Sequence, residues 1–161
     1  ERTKEYLNWR YCDPRAGQHR IMVAEKDDEI IGYSILRVNR FRLDYHVGYV
    51  IDVLAHPDRL DVADALIGEL VKQLKSQGVN LCNALIIKGH LYEPIYKKHG
   101  FLDSRVRTHI FYNPIMEIEE IMQEIQCAEP ERIYFSYGDI DSLPVEAPDI
   151  TFSIISLLRS S

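Results

Sequence analysis

Residues 62–74 place apolar side chains at Val62, Leu66, Ile67, Leu70, Val71 and Leu74. That stripe has a 3.6-residue period and predicts one amphipathic helix. Asp61 is expected as its N-cap, and Gly78 stands just past its end, where a left-handed residue closes a helix. The preceding run, 48–55, is nearly continuously apolar through Val50, Ile51, Val53 and Leu54, the pattern of a strand covered on both faces. Asp52 interrupts it.

The flanking segments complete the pattern. Residues 1–11 read as a helix end, with Tyr6, Leu7 and Arg10-Tyr11 on one side, stopped by Asp13-Pro14 and Ala16-Gly17. Residues 20–25 and 30–38 read as strands joined by a polar hairpin turn over 26–29. Gly32, inside the second, marks a bulge or a close approach. A polar connection over 40–46 leads into the apolar strand, and 79–87 reads as the strand after the long helix. A short helix follows, with Pro94 near its start, where a missing N–H does least harm.

Residues 101–112 are expected as a strand ended by Asn113-Pro114, and 132–137 as another, followed by a turn over 138–141. Between them 116–127 predicts a helical insert with Ile118, Ile121, Met122 and Ile125 on one side, broken by Glu129-Pro130. That stripe fits packing on its own sheet or on a second copy of the chain, a homodimer. A last edge strand is expected over 150–158. The order predicts one α/β domain over 1–161, a mixed sheet with helices on both faces.

Composition narrows the function. The chain is 46% hydrophobic and 27% charged, as in a globular domain, with a formal charge of −6 that argues against nucleic-acid binding. An acidic balance agrees with an amine-bearing partner. Cys12, Cys82 and Cys127 share no ligand spacing and read as small buried thiols of a reducing, cytoplasmic compartment. The six histidines have no metal-ligand spacing either; His56 and His90, just past two strands, are expected to be solvated loop residues. No apolar run approaches the ~20 residues of a membrane span.

Residues 92–101, Tyr-Glu-Pro-Ile-Tyr-Lys-Lys-His-Gly-Phe, form the short helix ending in Gly100-Phe101, behind a strand and after the long helix. This arrangement resembles the second cofactor motif of the GNAT family of acetyl-CoA-dependent N-acyltransferases. The resemblance covers roughly 6–137. It implies a mixed, mostly antiparallel sheet with a splayed parallel strand pair and acetyl-CoA lodged in the splay. Because the chain starts at Glu1 rather than Met, the family's N-terminal strand and helix are expected to be missing from it.

The resemblance also implies roles. Main-chain groups of Val53, Leu54 and Ala55 would hold the pantetheine arm and polarise the thioester. The family's pyrophosphate loop is Arg or Gln, two residues, Gly, one residue, then Gly or Ala. Here it reads Arg59-Leu60-Asp61-Val62-Ala63-Asp64, with Asp61 in the first Gly position, Ala63 in the second, and one loop residue missing. Arg59, Asp61, Ala63 and Asp64 are thus the implied phosphate-binding positions, at a helix N-terminus suited to anions. Asp61 weakens the match by its charge.

Tyr96 stands where many members carry the tyrosine that protonates the thiolate, and Asp52 is the candidate base for the amine. Each has a plainer alternative. Segment 57–66 is also an ordinary capped helix start, Tyr96 a packing aromatic, and Asp52 a carboxylate paired with a nearby Arg. Tyr92 reads as helix surface or core, and Trp9 with Arg10 as helix-to-sheet packing.

Segments 6–11 and 137–141 are similar to those of a GNAT subgroup tied to bacterial polysaccharide assembly, which leans the acceptor toward an amino sugar or glycan. Two rival functions stand beside N-acetyl transfer. One is a non-catalytic binding or assembly module of the same fold. The other, disfavoured by the acidic balance, is an aminoacyl transferase using charged tRNA.

Overall fold

The computed structural model describes residues 2–42, 45–106, 123–124 and 127–140. A hairpin opens the sheet. Strands β1 (Arg20–Lys26) and β2 (Glu29–Arg42) run antiparallel, joined through Asp27 and Asp28 at φ 53° and 65°. Two consecutive left-handed residues give the turn the twist that hairpins require, and Asp tolerates that region better than most residues. Strand β3 (Tyr45–Ala55) pairs antiparallel with β2, and β4 (Leu81–Ala84) pairs parallel with β3, in the order β1-β2-β3-β4. Helices flank both faces of this mixed sheet, as the apolar pattern predicts.

Helix α2 (Leu60–Ser76) lies on one face and buries Val62, Ala63, Leu66, Ile67, Leu70 and Leu74 against Leu36, Val50, Val53 and Ala55. Each fully buried Leu or Ile contributes about 1.5–3 kcal/mol relative to exposure. The helix closes at Gly78 (φ 67°), whose N–H bonds Lys75 O while the Val79 N–H bonds Leu74 O. Gly32 is fixed by this packing. A Cβ there would lie 2.9 Å from both Leu54 O and Val62 Cγ1, and a register shift sits beside it in the β1–β2 ladder.

On the other face, α1 (Lys4–Leu7) runs into a wider turn over Asn8–Cys12, seating Tyr11 against Ile35 and Ile51. Helix α3 (Glu93–Lys98) follows β4, with Pro94 in its first turn.

Two features of β3 position everything that follows. Its register with β2 slips, Ile35 facing Asp52 and Leu36 facing Val50, so Ile51 is the extra residue of a bulge. Its parallel pairing with β4 covers only Val47–Leu81 through Val50–Ala84. The ladder therefore ends where the bulge re-aims the backbone.

Several expected elements differ. Strand 79–87 shortens to Leu81–Ala84, because 85–87 has no strand to pair with once β3 diverges. Neither 101–106 nor 133–136 is in a strand, and Pro130–Arg132 and Tyr137–Asp139 form single 3-10 turns. Residues 107–112, most of the 116–127 insert and the 150–158 strand lie outside the described residues. Asp61 does not cap α2. The capping position is Arg59, with no side-chain cap bond, and Asp61 sits inside the first turn.

Trp9 is 60% exposed, leaning on the Tyr6 ring rather than on the sheet. Cys12 and Cys127 are exposed rather than buried, because neither occupies a core-facing position. Among the described residues no helix is long and apolar enough to cross a membrane, and no group of side chains could hold a metal ion.

Candidate functional site

Past the bulge, the β4-facing edge of β3 has no strand opposite it, and its main-chain groups look into a wedge between β3 and the segment that leaves β4. Two tyrosine hydroxyls occupy that edge. Tyr134 Oη accepts the Val53 N–H at 2.9 Å, and Tyr92 Oη accepts the Ala55 N–H at 3.1 Å while donating to Ala55 O at 3.3 Å. The phenols do for 53–55 what β4 does for 47–50: they satisfy buried main-chain groups.

His90 is 94% buried between these rings, its centroid 4.8 Å from Tyr92 and 5.4 Å from Tyr134. Its Nδ1 accepts the Tyr92 N–H at 3.1 Å, which assigns the ring proton to Nε2. Burial lowers its pKa and keeps it neutral. His90 is thus not the solvated loop residue its position suggests, whereas His56 is exposed as expected.

Asp52 is fully buried beneath this wall. Its Oδ2 accepts Arg2 Nε at 2.8 Å and the Tyr33 hydroxyl at 2.9 Å. Its Oδ1 accepts the Tyr134 hydroxyl at 2.8 Å, Ser136 Oγ at 3.3 Å and Arg2 Nη2 at 3.4 Å. Arg2 also forks onto Asp139, 3.0 Å to each oxygen. Burial works against the Arg2 charge, but the bonds and charges of Asp52 and Asp139 outweigh it and hold the guanidinium more firmly protonated. Burial, then the Asp52 charge, raises Tyr134 well above the ordinary phenol. The carboxylate is thus paired with an arginine, and the Tyr134 hydroxyl links it to the Val53 N–H.

Tyr96 is buried in the same apolar cluster as Tyr92, its ring edge-on to Phe101 at 5.0 Å. Burial, then the neighbouring Cys82, Asp52 and Tyr92, raises its pKa and keeps the phenol protonated. It also lines a cavity of about 740 Å³ on the α2–α3 side of β4, with Cys82, Ala84 and Ile86. The Cys82 thiol there is pushed up to about 12 by burial, so it stays protonated and inert.

At the start of α2, Arg59 forks onto Asp61 at 2.8 and 2.7 Å, and these bonds lower the Asp61 pKa to about 2. The pair cancels its own charge, so the helix N-terminus carries neither a free anion nor a free guanidinium. Ala63 is buried one turn in. Asp64 takes Lys98 Nζ at 2.6 Å and His99 Nε2 at 2.9 Å, tying α2 to the end of α3.

The fold brings Val53, Leu54, Ala55, Asp52 and Tyr96 around one strand end. The four loop positions gather at the adjoining helix start. Tyr92, His90 and Tyr134 are the residues that sequence reasoning missed. Tyr92 lies within the recognised segment and was expected only as packing, while nothing in the spacing singles out Tyr134.

Solved structures share this architecture. A presumed acetyltransferase of Agrobacterium tumefaciens is similar at 13% identity and TM-score 0.57, covering 68% of this chain and 81% of its own. Ribosomal-protein-alanine N-acetyltransferase of Brucella melitensis is similar at 16% and 0.53, covering 70% and 83%. An aminoglycoside acetyltransferase from an uncultured soil metagenomic sample, solved with trehalose, is similar at 16% and 0.53, covering 70% and 75%. At these identities the likeness is one of fold. No curated protein matches the chain. The sequence model of the acetyltransferase (GNAT) family matches residues 1–101, well over half of the chain and the whole of the β3–α2–β4–α3 unit, and the chain belongs to that family.

Proposed function

We propose that the chain is an acetyl-CoA-dependent N-acetyltransferase that moves an acetyl group to a primary amine by direct attack. The observation that carries this reading is the divergence of β3 from β4 past the bulge, in a chain of the GNAT family. The residues present fit the donor. Two main-chain N–H groups face the wedge, and α2 begins without a side-chain cap beside an arginine.

Bound there, acetyl-CoA supplies the activated acyl group. The N–H groups of Val53 and Ala55, with Leu54 between them, hold and polarise the acyl end. Arg59 exchanges Asp61 for phosphate at the start of α2, on the turn that carries Asp61, Ala63 and Asp64. Tyr96, kept protonated by burial, delivers a proton to the departing sulfur. Asp52 draws the amine proton by way of the wedge face that Tyr134 covers. An amino-sugar or glycan acceptor is supported by segments 6–11 and 137–141 and by the net charge of −6.

A second reading, a non-catalytic binding module, is favoured by one specific observation: both wedge donors and Arg59 already have partners within the chain. A thermal shift with acetyl-CoA separates the two. Ligand at 100 times its dissociation constant stabilises by about 2.7 kcal/mol. No shift at millimolar acetyl-CoA supports the module. If binding holds, Tyr96→Phe should lower kcat about 10²-fold and leave the acetyl-CoA Kd unchanged. Unaltered turnover removes Tyr96 from the reaction.

A further inference from the structure

Tyr134 is held differently from Tyr92. Tyr92 belongs to the turn that starts α3, bonds both main-chain groups of Ala55 and is buried. Tyr134 comes from a strap, 130–140, fastened at its two ends. At one end Pro130 packs on Gly89, where a Cβ would lie 3.2 Å from the proline. At the other, Asp139 grips Arg2 and caps Ser136, and Arg10 Nη2 bonds Ile140 O at 2.7 Å. Between these anchors 133–135 is in neither helix nor strand, and the Tyr134 ring is only partly buried. That ring lies over His90 and Tyr92, with the Arg2 guanidinium 5.4 Å above it.

We infer that the Tyr134 side chain is a gate that closes the acyl end of the wedge. The inference rests on the acetyl-transfer reading. A single N–H cannot serve both the phenol and an acyl carbonyl, so the Val53 donor becomes available only when Tyr134 swings out. The same swing removes the shortest hydrogen bond on Asp52 Oδ1, while Arg2 Nε and Tyr33 still hold Oδ2. One rotation therefore exposes the donor for the acyl group and the carboxylate edge for the amine together. The anchored ends keep the strap in place, so the motion needs no unfolding.

The test is NMR of the isotopically labelled full chain, titrated with acetyl-CoA. In the free protein the Val53 amide should show a cross-relaxation contact with the Tyr134 ring and slow exchange. At saturation the contact should vanish. Tyr134→Phe should speed exchange at Val53, leave exchange at 47–50 unchanged, and tighten the acetyl-CoA Kd about fivefold, the effect of removing one typical competing hydrogen bond. Acetyl-CoA binding with the Val53–Tyr134 contact intact overturns the gate and leaves the acetyltransferase reading standing. Binding by Tyr134→Phe but not by the parent chain upholds the gate, held shut. No binding by either removes both. Where the variant loses its fold, the contact measured on the parent chain with acetyl-CoA bound decides the question.

Discussion

The two halves of β3 are one continuous strand, yet they solve the same problem in different ways. In 47–50, the edge facing β4 is satisfied by a neighbouring strand, and Gly48 lies so close to α2 that a Cβ would come within 2.6 Å of Leu74 Cδ2. In 51–55, past the bulge, the same edge is satisfied by phenols that arrive from later in the chain. A ladder is cooperative and hard to displace, whereas a hydroxyl on one side chain can be exchanged for a ligand atom. The difference separates a half held by a strand from a half held by single side chains.

The largest effect should come from the carboxylate that organises the second half. Asp52→Ala leaves the largely buried Arg2 to Asp139 alone and strips three hydroxyls of an acceptor, which should cost about 3–5 kcal/mol by urea denaturation. A loss below about 1 kcal/mol means the network does not hold the strap, since exposed pairs are worth no more than that. In the first half, Gly48→Val overpacks the α2 contact and should cost about 1–3 kcal/mol. Pairing it with Leu74→Ala should recover part of that loss if the contact is the cause.

Tyr92→Phe leaves the buried Ala55 N–H unpartnered and should cost about 1–2 kcal/mol. A neutral result would mean that water replaces the phenol. The smallest effect is pH dependence. His90 and His19 are both depressed below their ordinary 6.5, chiefly by burial. Below that pH the unfolded chain binds protons that the folded chain refuses, so stability is full above about pH 6.5 and falls as pH drops through it. Melting temperature measured from pH 8 to pH 5 should decline, and His90→Leu should flatten the slope. An unchanged slope would place the effect at His19 alone.

Much of the architecture was legible because it is local. The stripe from Val62 to Leu74 marks α2, the apolar run around Val50 and Val53 marks β3, and Gly78 marks a helix end. The resemblance around Tyr96 and Gly100 points to the correct family. The site was less legible. Asp61 has the composition of a cap, yet Arg59 two residues away competes for its oxygens and wins. Residues 85–87 have strand composition, but a strand needs a partner, and the bulge at Ile51 removes it. Tyr134 reads as one more aromatic in an apolar segment, since nothing in its neighbours betrays that its hydroxyl meets β3.

The sequence by itself determined which segments become helix α2 and strand β3, and in what order, because periodicity, capping glycines and turn residues act over a few positions. Only the tertiary structure decided who satisfies the open half of β3. Val53 and Tyr134 are 81 residues apart, and Ala55 and Tyr92 are 37 apart. Whether such partners meet depends on where the sheet splays and how the chain returns over it, and no local pattern encodes that geometry.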